Sequence, residues 1–270
     1  MTTRFPKGIN NMSPESPFSA LPFPNPFKWH VFAEDFNGWP YYTTAANATA
    51  ANGIYYLTAT AGGAGSTSAA MGTSALTSSA LQITTDDAAG DGIWATLNAA
   101  NAHSGCFGRL VAGKRLFVSV KVRPQGGADQ TDSVFLAGAY EPAIAAFNVA
   151  STTHGLYFYK ADAAATYTCV WSNGTTQVQS AALGSFVLNT SIDLVALYLP
   201  GERVSPSSNS YGVVRVYVND VLTARMDVSS AAVAAGNGLA LTPAFGYKAG
   251  AVGTVAYSCG IDYLMVAAER

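Results

Sequence analysis

The feature that most limits how this chain can fold is its period. Apolar residues recur at every second position in short runs broken by Gly, Asn, Asp, Ser or Pro, and helical spacing is nearly absent. In "RLFVSVKVRP", Leu116, Val118, Val120 and Val122 point one way while Phe117, Ser119, Lys121 and Arg123 point the other. That is a strand with one buried and one mixed face, expected to end at the residue before Pro124. In "YGVVRVYVNDVLTARMDV", Val214, Val216 and Val218 alternate with Arg215, Tyr217 and Asn219. Asn219-Asp220 suits the positive φ values of a two-residue hairpin turn, with Val221 to Val228 as the returning strand.

The runs "SALQITT", "DGIWATL", "DSVFLAGAY", "HGLYFYKA", "ATYTCVWSNG", "SIDLVALYL", "LTPAFGYKA" and "YSCGIDYLMVA" read the same way. Parallel strands need crossovers of about a dozen residues, and the connections here are shorter. Two antiparallel sheets packed face to face are therefore expected over residues 31–270, an all-β antiparallel sandwich. The Ala/Thr/Gly/Ser-rich part from Thr43 to Ala80 resembles a linker by composition. Ile54, Tyr55, Tyr56, Leu57 and Met71 argue that it is loop and strand within the sandwich.

Residues 1–30 break the pattern. "SPFSALPFPNPFKW" is apolar yet has neither period, and six of the chain's twelve prolines fall between Pro6 and Pro26. Proline fixes φ and removes a donor, so the segment is an extended arm. Its apolar residues, Phe5, Ile9, Phe18, Leu21, Phe23, Phe27 and Trp29, are the candidate anchoring side chains. A single arm is expected to be loose and to become firm when several bind adjoining surfaces together, since tethering raises their effective concentration. The alternative is an arm folded back along its own sandwich.

Composition excludes some partners. Charged residues make up 11%, and none, nor any His, occurs from Phe36 to Thr85. Such a surface is neutral or covered, which favours a homo-oligomer. A net charge of -2 without a basic run argues against nucleic acid. No apolar run approaches the roughly 18 residues of a membrane span, and "MTTRFPKGINN" lacks a signal-peptide stretch, so cytoplasmic synthesis is expected. Cys106, Cys169 and Cys259 are odd in number and far apart, which reads as buried free thiols.

The closing third carries a resemblance. "VRVYVNDVLTARMDV", "LTPAFGYKAG" and "GIDYLMVAAER" together resemble the last strands of the concanavalin A-like, or laminin-G-like, jelly-roll sandwich. "MTTRFPKGINN", the Pro-rich arm and "FAEDFNGW" resemble the start of tailed-bacteriophage virion proteins that set such a sandwich behind an N-terminal anchor. This second resemblance implies a capsid decoration or cement protein on the virion surface. The major capsid protein would be its partner, and copies would associate as a trimer at local threefold axes.

Signals of chemistry are sparse. Jelly-roll glycosidases of the laminarinase type carry E-x-D-x-x-E on one strand for a two-carboxylate mechanism, and this string is absent. Glu34-Asp35 and Asp86-Asp87 are adjacent and so point to opposite faces of a strand. No enzyme is expected. In "TTDDAAGDG", Asp86, Asp87 and Asp91 are the nearest approach to a hard-cation site, but the spacing fits a solvated turn better, so no cofactor is expected. His30, His103 and His154 stand alone in sequence, and Gly62, Gly63 and Gly65 lack the Lys-Ser/Thr of a phosphate loop. Trp39, Tyr41, Tyr42, Trp94, Tyr157, Tyr159 and Trp171 are able to stack on sugar rings or to fill the core. The leading expectation is thus a virion structural protein. Its alternative is a carbohydrate-binding, lectin-like fibre adhesin that contacts host glycans, with a degenerate glycan hydrolase behind both.

Overall fold

A computed structural model of the chain describes residues 29–36, 42–44, 49–52, 55–60, 67–71, 81–85, 90–97, 108–111, 113–126, 130–141, 153–202, 210–229, 238–250 and 256–270. All regular structure among them is β. In chain order the strands are β1 (Trp29–Glu34), β2 (Tyr42–Thr44), β3 (Thr49–Asn52), β4 (Tyr55–Thr60), β5 (Thr67–Met71), β6 (Leu81–Thr84), β7 (Gly92–Leu97), β8 (Gly108–Leu110), β9 (Leu116–Gln125) and β10 (Ser133–Tyr140). There follow β11 (His154–Lys160), β12 (Thr166–Asn173), β13 (Gln177–Gln179), β14 (Gly184–Ser185), β15 (Ile192–Pro200), β16 (Ser210–Val218), β17 (Val221–Ser229), β18 (Leu239–Ala249) and β19 (Ser258–Glu269).

Two antiparallel sheets result, as the alternation requires. The nine-stranded sheet runs β17-β16-β15-β9-β19-β6-β5-β2, and β1 pairs with β19. β6 takes the first half of β19 and β1 the second, Leu81 lying opposite Ile261 and Trp29 opposite Glu269. The ten-stranded sheet runs β13-β12-β11-β10-β18-β7-β4-β3, with β14 against β12 and β8 against β18. The Ala/Thr-rich stretch thus supplies β3, β4 and β5 to both layers.

The core lies between the sheets. Leu116, Val118, Val120 and Val122 of β9 meet Phe135, Ala137 and Ala139 of β10, Leu156 and Phe158 of β11, and Phe245 and Tyr247 of β18. Cys169 and Cys259 are buried free thiols within it, and burial raises both above the ordinary thiol value. The β16–β17 turn has φ of 49° at Asn219 and 65° at Asp220, the pair of left-handed residues expected of a two-residue hairpin.

One boundary differs from expectation. β9 does not stop before Pro124 but continues through it, opposite Cys259 of β19, to Gln125. The ladder to β15 has already ended at Val122, so the missing proline N–H falls on the side that needs no donor. Pro124 still accepts a hydrogen bond from Asn189 N–H at 2.8 Å.

At the end of β11, Lys160 is wholly buried. Its ammonium donates to the carbonyls of Thr131, Ser133 and Ala161 at 2.9, 2.5 and 3.2 Å, so the buried charge has three oxygen partners.

Candidate functional site

Side chains alternate across a strand, so the residues of the ten-stranded sheet that do not enter the core share its outer face. Cross-strand pairing arranges them in rows. Leu136 sits between Tyr159 of β11 and Gly246 of β18, and Gly246 is opposite Trp94 of β7. In the next row Gly138 lies between Tyr157 and Ala244. Small residues thus run along the middle, with aromatic rings at either side.

The rings contact each other across this face. Tyr140 meets Tyr157 edge-on at 4.8 Å and Trp94 at 5.5 Å. Trp94, Leu136, Tyr140, Tyr157 and Val170 are buried, whereas Tyr159, His154, Glu141 and Lys248 keep part of their surface in solvent. The glycines are needed here. Gly138 has φ of +152°, and a Cβ there would lie 2.6 Å from the Leu156 carbonyl oxygen and the Tyr157 Cα. A Cβ on Gly92 would fall 2.1 Å from that of Lys248.

Polar groups gather at one end of this face. Thr153 Oγ1 lies 3.3 Å from the Tyr157 hydroxyl, and Ser172 donates to the Thr153 carbonyl at 2.5 Å. Burial pushes the phenols of Tyr140 and Tyr157 well above the ordinary value. Hydrogen bonding to Thr153 opposes part of that rise, and the charge of Glu141 adds to it. Both therefore stay neutral hydroxyls at physiological pH. His154 approaches Glu141 Oε2 at 3.2 Å through Nδ1, and its Nε2 is 2.7 Å from the Ala240 carbonyl, which fixes the ring. The result is two buried phenols joined through Thr153 on this face, with an acid–imidazole pair at the strand ends next to them.

The sequence candidates divide accordingly. Trp94, Tyr157 and Tyr159 do share one face. Trp171 does not: it lies in the core, its ring 6.3 Å from that of Tyr198. Trp39 and Tyr41, with Gly62, Gly63, Gly65, His103, Cys106, Asp86 and Asp87, lie outside the described residues, and of Tyr42 only the strand is described. Asp91 is buried at the start of β7, its carbonyl accepting the Ala249 N–H at 2.7 Å, and no metal-ligating cluster occurs among the described residues. Of the arm, Phe5, Ile9, Phe18, Leu21, Phe23 and Phe27 lie outside the described residues. Trp29 opens β1 and is buried against the nine-stranded sheet, with the Arg115 guanidinium 5.4 Å from its ring. His154 is not isolated, as its sequence neighbourhood suggested. Tyr140 pairs with Gly155, so the next residues outward, Glu141 and His154, meet across the β10–β11 hairpin. Tyr140, Glu141 and Thr153 were missed because only the register reveals them.

No protein-family model matches the chain, and no curated protein matches it in sequence. Solved structures do match in fold. The Emp47p carbohydrate recognition domain superposes with a TM-score of 0.54 at 11% identity, over 91% of this chain and 99% of that domain. An endo-1,3-beta-glucanase from Streptomyces sioyaensis gives 0.51 at 14% identity, over 91% and 98%. An endo-beta-1,4-glucuronan lyase from the fungus Trichoderma reesei gives 0.50 at 13% identity, over 87% and 94%.

The fold is thus that of the concanavalin A-like β-sandwich, the jelly roll expected from the closing strands. One expectation is corrected. The chain was read as not being an enzyme for want of an E-x-D-x-x-E strand, yet a lyase and a glucanase share this sandwich, so the missing string does not exclude glycan-cleaving chemistry.

Proposed function

We propose that the protein is a lectin-like carbohydrate-binding sandwich that holds a glycan at the polar end of the outer face of its ten-stranded sheet. The observation that carries this reading is the set of Tyr140, Thr153, Tyr157 and the partly exposed Tyr159 on one face, with the Glu141–His154 pair at the strand ends next to Tyr140 and Thr153. A sugar ring offers an apolar C–H face that stacks on an aromatic ring and hydroxyls that need directed partners; the partly exposed Tyr159 offers the first, and Glu141 and His154 the second. A fold shared with a carbohydrate recognition domain supports the reading. The test is a glycan array followed by calorimetry on the strongest hit. Tyr159→Ala and Glu141→Gln are each expected to weaken binding about tenfold, or about 1.4 kcal/mol. An array without signal, or variants that bind as tightly as the parent, would refute it. Assaying the same glycans for new reducing or unsaturated ends reports whether binding leads to cleavage.

A second reading, the phage capsid decoration protein, is favoured by the arm, whose prolines and apolar residues suit attachment to a repeating shell such as that of the major capsid protein. In it the protein sits on the virion as a homo-oligomer, a trimer by the symmetry of the shell. Light scattering of the free protein and occupancy counts on empty shells test it. Monomers that leave the shells bare would remove it.

A further inference from the structure

The period of two that runs along β19 slips once. Ile261 and Leu264 both face the inter-sheet core although they lie three positions apart, so one residue between them is extra. The pairing shows where: Val122 of β9 lies opposite Ile261 and Lys121 opposite Tyr263, which leaves Asp262 as a β-bulge. The bulge turns two consecutive polar side chains to the outer face of the nine-stranded sheet. Asp262 Oδ2 meets Lys121 Nζ at 3.1 Å, and the Tyr263 hydroxyl lies 3.2 Å from Ser119 Oγ and 3.4 Å from Asp193 Oδ1. Next to the bulge the face has a gap. Gly260, opposite Arg123 of β9 and Gln82 of β6, brings no side chain, and it floors a small depression walled by Lys121, Arg123, Gln125, Ser191 and Asp262.

This depression holds polar groups that the fold does not use. Arg123 Nε is buried and has no hydrogen-bond partner among the described residues, and none of the ion pairs among them includes its guanidinium. Gln125 is 8% exposed, and its amide, to which no described residue hydrogen-bonds, is held over the floor: Nε2 would lie 3.5 Å from a Cβ placed on Gly260. A buried N–H without an acceptor loses its hydration and gains nothing in return, so its place in a depression calls for an acceptor from outside.

We propose that this depression is a binding site for the carboxylate of a small acidic ligand. The guanidinium fork offers Nε–H and an Nη–H in parallel to the two oxygens of a planar carboxylate, and the Gln125 amide and Ser191 hydroxyl stand ready for a hydroxyl or amide beside it. Charge selects the same class. Asp262 neutralises Lys121 in the pair they form, which leaves the single charge of Arg123 for a monoanion. A doubly charged sulfate or phosphate would meet added repulsion from Asp262 and from Asp193, which lies opposite Lys121. The site is on the other sheet from the glycan face and is independent of that reading.

Nuclear magnetic resonance of the full-length ¹⁵N-labelled protein tests this, with sodium acetate as the probe and sodium chloride at matched ionic strength as the control. The Arg123 Nε–Hε signal, assigned by its loss in Arg123→Lys, and the Gln125 side-chain amide are expected to shift saturably with acetate, and sulfate to bind more weakly. Gly260→Ala leaves every polar group in place but sets a methyl 3.5 Å from Gln125 Nε2, an ordinary contact. It should weaken acetate binding about tenfold at an unchanged thermal midpoint. Arg123→Lys keeps the charge but not the fork and should weaken binding, read at Gln125, by about as much. Should Gly260→Ala lower the midpoint, Arg123→Lys decides alone. No saturable shift would show that water alone meets Nε. Equal shifts with chloride, tighter binding of sulfate, or acetate binding indifferent to either substitution would show an unspecific cation. Each of these results overturns the proposal.

Discussion

Gly138 shows how single residues hold the candidate face in shape. With φ of +152° and a would-be Cβ 2.6 Å from the Tyr157 Cα, it allows the edge-on contact of Tyr140 and Tyr157. Gly138→Ala is expected to cost about 2 kcal/mol or more, read as a lower denaturant midpoint at unchanged slope. A loss within about 0.5 kcal/mol would show that the β10–β11 backbone yields freely. A second residue-scale prediction concerns Glu269. Burial alone raises its carboxyl, but the hydrogen bonds and charge of Arg115 outweigh that and hold it below the usual value of 4.5. Its folded value is depressed, so its contribution is present above the unfolded value and is lost as pH falls below about 4.5. The pair is partly exposed, so the contribution stays below about 1 kcal/mol. Glu269→Gln should flatten the acid limb of the stability curve by that amount, and an unchanged limb would contradict the pairing.

At the scale of elements, the β16–β17 hairpin rests on two left-handed residues. Replacing Asn219 by Ala should cost about 1–2 kcal/mol, since alanine tolerates φ of 49° poorly and loses the bond that Asn219 Oδ1 accepts from Asp193 N–H at 3.0 Å. Thermal unfolding measures it, and an unshifted midpoint would refute it. This turn was legible in the sequence because both of its determinants are local: residue type at the turn and period two on either side. The inward faces of β9 and β16 were legible for the same reason. What the sequence did not reveal depends on pairing between distant strands. Glu141 and His154 meet because Tyr140 faces Gly155, a register set by the whole β10–β11–β12 ladder, so a histidine without a nearby carboxylate in sequence has one in space. Trp94 and Trp171 look alike as sequence, yet one faces outward and the other enters the core. Pro124 was taken as a stop because its tolerance depends on where the neighbouring β15 ladder ends.

For the whole molecule, burial of tyrosines sets an alkaline limit. Tyr140, Tyr157, Tyr159, Tyr167, Tyr247 and Tyr263 all have phenols raised by burial above the ordinary value of 10.0. Raised folded values give stability that is complete below the unfolded value and is lost as pH climbs above about 10. Phenolate absorbance of these residues should therefore appear together with loss of the β signal in circular dichroism, and titration of all tyrosines in a folded protein would contradict the burial described. The same aromatic burial leaves Tyr159 on the candidate face, and Glu141 and His154 at the strand ends, as residues partly open to solvent. Hydrogen-exchange mapping with and without the strongest-binding oligosaccharide from the array tests the glycan reading directly. The account predicts new protection at Tyr140–Glu141 and through β11 around Tyr157–Tyr159, with β9, β15 and β16 unchanged. Protection confined to the nine-stranded sheet, or none at saturating oligosaccharide, would contradict a glycan site on this face.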